Sequence, residues 1–217
     1  MTIDFYYMGS SAPCRTVLLT AAALDVKLNL NVVRMMDQEH LKPEYIKINP
    51  QHTIPTLVDD GFAVWESRAI ARYLVNKYGG DSSLYPKDPK TRAIVDQRLD
   101  FDMGTLYQRY ATYFYPQLLQ GAAPDEAAFK KVQEALEFLN IFLEGNKYAA
   151  GSSLTIADLS LVATISTMEA TQCSISEYPN IVKWYDLVKA TAPGYKEANQ
   201  KGIDEMKSLP IEYKAKG

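Results

Sequence analysis

Cysteine and histidine are scarce in this chain, two of each in 217 residues. Cys14 and Cys173 lie far apart without metal spacing, which argues against a disulfide framework and fits a reducing compartment. His40 and His52 have no third ligand at sensible spacing, so no metal site is expected. There is no run of Lys and Arg, and the net charge is -3, so neither nucleic acid nor an anionic membrane surface is indicated as partner. No apolar run approaches the ~20 residues needed to span a bilayer. Met-Thr-Ile-Asp-Phe lacks a basic stretch followed by an apolar one, so no secretory signal is read and a cytoplasmic location is expected. What remains is ordinary globular composition, 47% hydrophobic and 23% charged, enough for one large domain or two small ones.

The first third alternates short apolar runs with helical patterns. Ile3–Tyr7 reads as a strand, Cys14–Leu24 as a helix, Leu28–Val33 as a half-buried strand of period two, and Pro43–Ile48 as a short helix. Thr56–Val58 and Phe62–Trp65 read as strands joined by a tight turn at Asp59-Asp60-Gly61, and Ser67–Tyr78 as a helix stopped by Gly79-Gly80. Residues 80–89 are turn-rich and read as a linker. After it the signals are helical, over Lys90–Phe114, Asp125–Glu144, Ile156–Glu169, Asn180–Ala190 and Tyr195–Lys207. Thr155 and Asp158 form a capping box, with Leu154 and Leu159 as a hydrophobic staple. The expected architecture is α/β plus all-α, with a small α/β domain over 1–79 and a helical domain over 90–217.

Four places carry chemistry. Ser10-Ser11-Ala12-Pro13-Cys14-Arg15 is a strand-to-helix turn with two hydroxyls and a thiol. A helix start offers free N–H donors and the positive end of the dipole, which favour an anion such as a thiolate. A redox site would read C-x-x-C; this turn has serine in the nucleophile's place, and an ordinary N-cap is the plain alternative. Ile54-Pro55 precedes a strand; a cis bond there would present the Ile54 backbone to a peptide, and a trans turn is the plain alternative. Glu66-Ser67 begins a helix, where a serine N-cap and a carboxylate suit an amino-acid head group, or merely cap the helix. His40 and His52 sit in loops, where a cation can pair with a carboxylate or simply face water. In the helical part, Met103, Tyr107, Tyr110 and Phe114 share a helical stripe, with Tyr113 and Tyr115 beside them. Such a stripe is either core or the wall of an adaptable apolar pocket.

S-A-P-C-R, E-H-L-K-P, N-P-Q-H-T-I-P-T-L-V-D, W-E-S-R-A-I, F-D-M-G-T-L-Y and S-L-T-I-A-D together resemble the cytosolic glutathione transferases, most closely the insect delta class, over nearly the whole chain. The resemblance implies a thioredoxin-like N-terminal domain, a helical C-terminal domain and a homodimer. It implies glutathione as co-substrate, with no permanently bound cofactor, and hydrophobic electrophiles as the second substrate. By the same resemblance Ser11 bonds the glutathione sulfur, and His40 and His52 take the glycine carboxylate. Ile54, before a cis Pro55, pairs with the cysteinyl backbone. Glu66, Ser67 and Arg68 hold the γ-glutamyl head group, and Asp102 supports it, within the chain or across the dimer. Two departures stand out. Ser10 replaces a glycine of the family pattern, which makes it a rival to Ser11, and Asp100 replaces an interface tyrosine. Two other classes remain open on the sequence alone: a glutathione-fold protein that binds without catalysis, and a thiol-disulfide oxidoreductase using Cys14. Cys14 is expected to be buried and inert.

Overall fold

The computed structural model describes residues 2–208. The last nine residues of the sequence-based helical domain, 209–217, lie outside that range. Ile3 and Phe5 point into the core from β1 (Ile3–Tyr7), which runs parallel to β2 (Leu28–Val32). β1 also pairs antiparallel with β3 (Thr56–Asp59), and β3 with β4 (Phe62–Trp65), giving the order β2-β1-β3-β4. The hairpin loop is Asp60-Gly61 alone, both at positive φ, because a two-residue turn that follows the strand twist needs left-handed backbone. Asp59 therefore belongs to β3 rather than to the turn.

α1 (Ala12–Ala23) is capped by Ser11 and carries Pro13 in its first turn. One face of it, with Cys14, Val17 and Ala21, packs on the sheet together with Ile70 and Leu74 of α3 (Ser67–Tyr78). Its other face meets the helical half through Ala12 and Leu19. α2 (Pro43–Ile46) is a single turn preceded by a 3-10 turn at Glu39–Leu41, so His40 lies on a helical turn and not in open loop.

The helical half comprises α4 (Pro89–Phe101), α5 (Gln108–Gln120), α6 (Glu126–Phe142), α7 (Ile156–Ala170), α8 (Pro179–Thr191) and α9 (Lys201–Lys207). α7 is its axis: every residue from Ile156 to Met168 is buried, its apolar side chains in the core and its polar ones, Asp158, Ser160, Thr164, Ser166 and Thr167, hydrogen-bonded. The Thr155–Asp158 capping box forms, and the buried Asp158 also accepts from Ala149 N–H and Trp184 Nε1 at 2.7 and 2.8 Å. The expected single helix over Lys90–Phe114 is instead two, joined by a π-helical turn at Asp102–Tyr107. The second runs through Pro116 and stops at Gly121, which supplies the left-handed cap. A second π turn, Lys196–Gln200, leads into α9.

Asp59 ties the hairpin to α3. Its Oδ2 accepts from Tyr73 and Tyr78 hydroxyls and Lys77 Nζ at 2.8, 2.6 and 2.8 Å. Burial pushes this carboxyl up, but Lys77, Tyr78 and Tyr73 together pull it further down, to a net value below the ordinary range. A depressed folded-state value means that the contribution is full above the unfolded value of about 4 and fades as pH falls through the folded one. Asp59→Asn should therefore lower the melting temperature by roughly 2–4 °C at pH 7, with the gap to wild type closing toward pH 3. Thermal melts across pH check this; a gap that widens in acid would overturn it.

Candidate active site

Strand register collects the candidate residues. Tyr7 pairs with Val32 at the ends of β1 and β2, Tyr6 with Thr56 at the start of β3, and Thr56 with Trp65 at the end of β4. The Met8–Ser11 turn, the Ile54-Pro55 segment and the Glu66–Ser67 junction thus leave the sheet at one end of three adjacent strands. In open sheets that carry parallel strands, ligands bind in the crevice beyond the carboxyl ends of those strands.

Ser11 has extended backbone, its N–H donates to Met8 O at 3.1 Å, and its Oγ accepts from Cys14 N–H at 3.5 Å. That bond is long, so the cap is a weak one. Ser10 and Ser11 are both half-buried. Cys14 is fully buried, and burial pushes its thiol up to about 11 against Ser11, Met8 and Arg15, which lower it. Its thiol is therefore protonated at neutral pH and enclosed, as expected of an inert core cysteine and unlike a redox nucleophile.

The Ile54–Pro55 bond is cis. The segment before it is held by residues that sequence reasoning missed. Asn49 is buried and donates to Thr53 O and Thr56 Oγ1 at 3.0 and 2.9 Å, while its carbonyl accepts His52 N–H at 2.8 Å. Tyr45 Oη donates to Thr53 O at 2.5 Å. His52 is exposed at positive φ, and its ring centroid lies 6.2 Å from that of His40, whose Nδ1 is buried without a partner among the described residues. The signal for Asn49 was local: an asparagine before proline in N-P-Q-H is a turn-forming residue.

At the third junction the cap position is Glu66, at φ 69, and Ser67 is the first helical residue, which corrects the expected serine N-cap. The reason is Arg68: its Nη1 donates to Ser67 Oγ at 3.0 Å, so that hydroxyl is engaged sideways rather than toward the helix amides. Arg68 Nη2 in turn donates to Asp102 Oδ2 at 2.5 Å. Asp102 is 0% exposed and also accepts from Ser160 and Thr164 hydroxyls at 2.5 and 2.8 Å. Its partners Arg68, Ser160 and Thr164 all lie within its own chain. Asp100 pairs with Arg72 at 3.2 Å on the surface.

The aromatic stripe divides. The π turn inserts extra backbone between Met103 and Tyr110, so they no longer share the face that a uniform helix would give them. Tyr110 and Phe114 are 1% and 4% exposed, stack at 5.2 Å and lie in the helical core. Tyr110 Oη also meets Thr171 Oγ1 at 2.6 Å. Met103 remains 45% exposed, and Tyr107 and Tyr113 are partly buried at the edge of the core. Tyr107 faces both Arg68, 5.6 Å from its ring, and the Tyr115 hydroxyl at 2.9 Å.

Comparison with known proteins agrees with this arrangement. The chain matches the family model for the glutathione S-transferase N-terminal domain over residues 10–77 and for the C-terminal domain over residues 105–191. A delta-class glutathione transferase of Nilaparvata lugens superposes with a TM-score of 0.93 at 55% identity, covering 94% of this chain and 96% of that one. A Bombyx mori glutathione transferase gives 0.93 at 47% identity over 96% and 97% of the two chains. An epsilon-class enzyme of the housefly, Musca domestica, gives 0.90 at 39% identity over 96% of each. With a thioredoxin-like sheet domain, a helical second domain and identities of this size over nearly its whole length, the chain belongs to the glutathione S-transferase family of enzymes and has its delta-class fold.

Proposed function

We propose that this transferase activates glutathione as its thiolate at Ser11 and conjugates it to hydrophobic electrophiles. The strand register carries the reading. Neighbouring strands lie ~4.8 Å apart, so the ends of β1 and β4, two strands apart, are separated by roughly 10 Å. An extended tripeptide reaches about as far, at ~3.3–3.6 Å per residue. The γ-glutamyl end then rests at Glu66, Ser67 and Arg68, the cysteinyl backbone pairs with Ile54 before Pro55, and His40 and His52 take the glycine carboxylate.

Ser11 Oγ accepts from the Cys14 amide, which leaves the hydroxyl proton to donate to sulfur. A free thiol has a pKa of ~8.5, and lowering it by ~2 units needs roughly 2.7 kcal/mol. A hydrogen bond to a charged group contributes ~1.5–3 kcal/mol and a helix N-terminus ~0.3–1. These two together suffice. The thiol proton leaves to water or to the tripeptide's own carboxylate. The thiolate attacks an electrophile held by Met103, Tyr107 and Tyr113, displacing the leaving group with its electron pair. With a chlorinated insecticide the thiolate can instead take a carbon-bound proton as chloride departs and a double bond forms. The role is detoxification by a cytoplasmic homodimer.

The test is a conjugation assay with a chloronitroaromatic, run beside calorimetry with glutathione. Turnover with glutathione is expected; binding without turnover would return the chain to a ligand-binding role. Ser67→Ala should weaken glutathione binding by about tenfold or more, as loss of a hydrogen bond to a charged head group does. Unchanged affinity would refute the head-group assignment.

A further inference from the structure

Glycine is among the poorest helix formers, yet Gly202, the second residue of α9, stands inside the helical run that begins with the π turn at Lys196, buried and without a left-handed φ. Its reason is proximity. A Cβ at Gly202 would lie 2.1 Å from the carbonyl oxygen of Gly9 and 2.7 Å from Arg15 Cδ. The approach is mutual, since a Cβ at Gly9 would lie 2.1 Å from Glu205 Oε2, one turn further along α9. The same face is bolted on from the other side. Arg15, one turn into α1 and fully buried, donates to Asn199 Oδ1 at 2.6 Å, to Ser166 Oγ at 3.0 Å and to Thr167 Oγ1. Met206 anchors α9 in the helical core. So Gly9, the residue before Ser10, packs against α9, and Arg15, four residues after Ser11, is held by the π turn that leads into α9 and by α7.

We propose that α9 is a brace for the Gly9-Ser10-Ser11 turn, with Gly202 as the positioning residue that sets where the serine hydroxyls stand. This rests on the reading that one of those hydroxyls holds the glutathione sulfur. The brace acts on the turn through backbone, and Gly202 touches no reacting atom. In Gly202→Ala the Gly9 carbonyl must move by nearly an ångström to reach the 3.0 Å that real Cβ contacts keep. A misplacement of ~1 Å at a reacting group lowers rates on the order of 100-fold. The head-group residues Ser67 and Arg68 stand on α3, so glutathione capture is not the step affected.

The experiment titrates the ultraviolet absorbance of the thiolate in the glutathione complex of wild type, Gly202→Ala, Met206→Ala, Ser10→Ala and Ser11→Ala, with kcat and KM for each. Gly202→Ala is expected to raise the bound thiol by about one pH unit, roughly a threefold loss of thiolate at pH 7, with misplacement bringing kcat down at least tenfold and KM for glutathione within about twofold. Met206→Ala loosens α9 without pushing on the turn and should move the thiol the same way by less. It decides the matter if Gly202→Ala does not fold. A wild-type thiol titration and kcat in folded Gly202→Ala and in Met206→Ala, while a serine variant shifts them, overturns the brace alone. Silence of both serine variants overturns the serine reading instead. A shift in Gly202→Ala against that silence would keep the brace and hand the sulfur to the amides of the turn.

Discussion

Ser11→Ala should give a protein that folds, binds glutathione with little change and turns it over roughly 3–25-fold more slowly at neutral pH. The size follows from the bond that is lost. A hydrogen bond to a charged atom supplies ~1.5–3 kcal/mol, and 1.36 kcal/mol is one pKa unit, so the bound thiol rises by about 1–2 units toward its free value of ~8.5. The helix N-terminus stays, which is why some activation persists. The diagnostic is the pH profile. If the serine acts by holding the thiolate, kcat of the variant recovers as pH climbs through the raised thiol value, while wild type is already flat. Stability is a poor confounder here, because the Ser11 cap on Cys14 N–H is 3.5 Å long and lies at the weak end of the ~0.5–2 kcal/mol that caps provide. Full activity in Ser11→Ala with loss in Ser10→Ala would move the role to the neighbouring hydroxyl.

The architecture was legible because its signals are local. Period two marks β2, though its apolar positions Leu30 and Val32 are exposed rather than half-buried as expected. Asp60-Gly61 marks the hairpin, Gly79 marks the end of α3, and Thr155 with Asp158 marks the start of α7. The order of strands and helices through residue 78 follows from these alone. The helix over Lys90–Phe114 misled for an identifiable reason. Its apolar spacing is helical throughout, and nothing in the spacing marks one wider turn at Asp102–Tyr107. That turn exists because Asp102 is drawn inward by Arg68, Ser160 and Thr164, three partners from distant parts of the chain. A pattern read within 18 residues cannot register a pull from Ser160. The stripe from Met103 to Phe114 inherits the same error, and Tyr110 and Phe114 fall into the core as a result.

The candidate site shows a similar division. Ser11, Pro55, Glu66 and Ser67 sit at strand-helix or turn-strand junctions, where residue type itself points to the proposed role. Asn49 holds Thr53 and Thr56 a few residues on, whereas Arg15 and Gly202 meet Asn199 and Gly9 across the fold, neighbours not visible from sequence spacing. Ser67 looked like a cap because serine favours that place; Arg68 beside it claims the hydroxyl instead.

Asp102→Ala should be the most destabilising single change at this site. Asp102 is the only carboxylate bonded to Arg68 among the described residues, and Arg68 is itself buried. Removing one partner of a buried ion pair costs about 3–5 kcal/mol, because the other charge is left in a medium that cannot solvate it. Two further donors, the Ser160 and Thr164 hydroxyls, lose their acceptor at the same time. At roughly 2–4 °C per kcal/mol for a chain of this size, the melting temperature should fall by about 10 °C. Asp102→Asn keeps the shape and one acceptor oxygen and should lose less. The decisive comparison is Asp102→Leu combined with Arg68→Met. With both charges gone the pair's desolvation penalty disappears, and Ser160 and Thr164 can turn to helix carbonyls, so stability should return most of the way to wild type. Glutathione affinity should not return, since Ser67 Oγ loses the guanidinium that orients it. Chemical denaturation and calorimetry on the three variants separate the two effects. A loss under about 1 kcal/mol in Asp102→Ala would mean that Arg68 finds water there, and recovery of glutathione affinity in the double variant would mean that Ser67 stands without it.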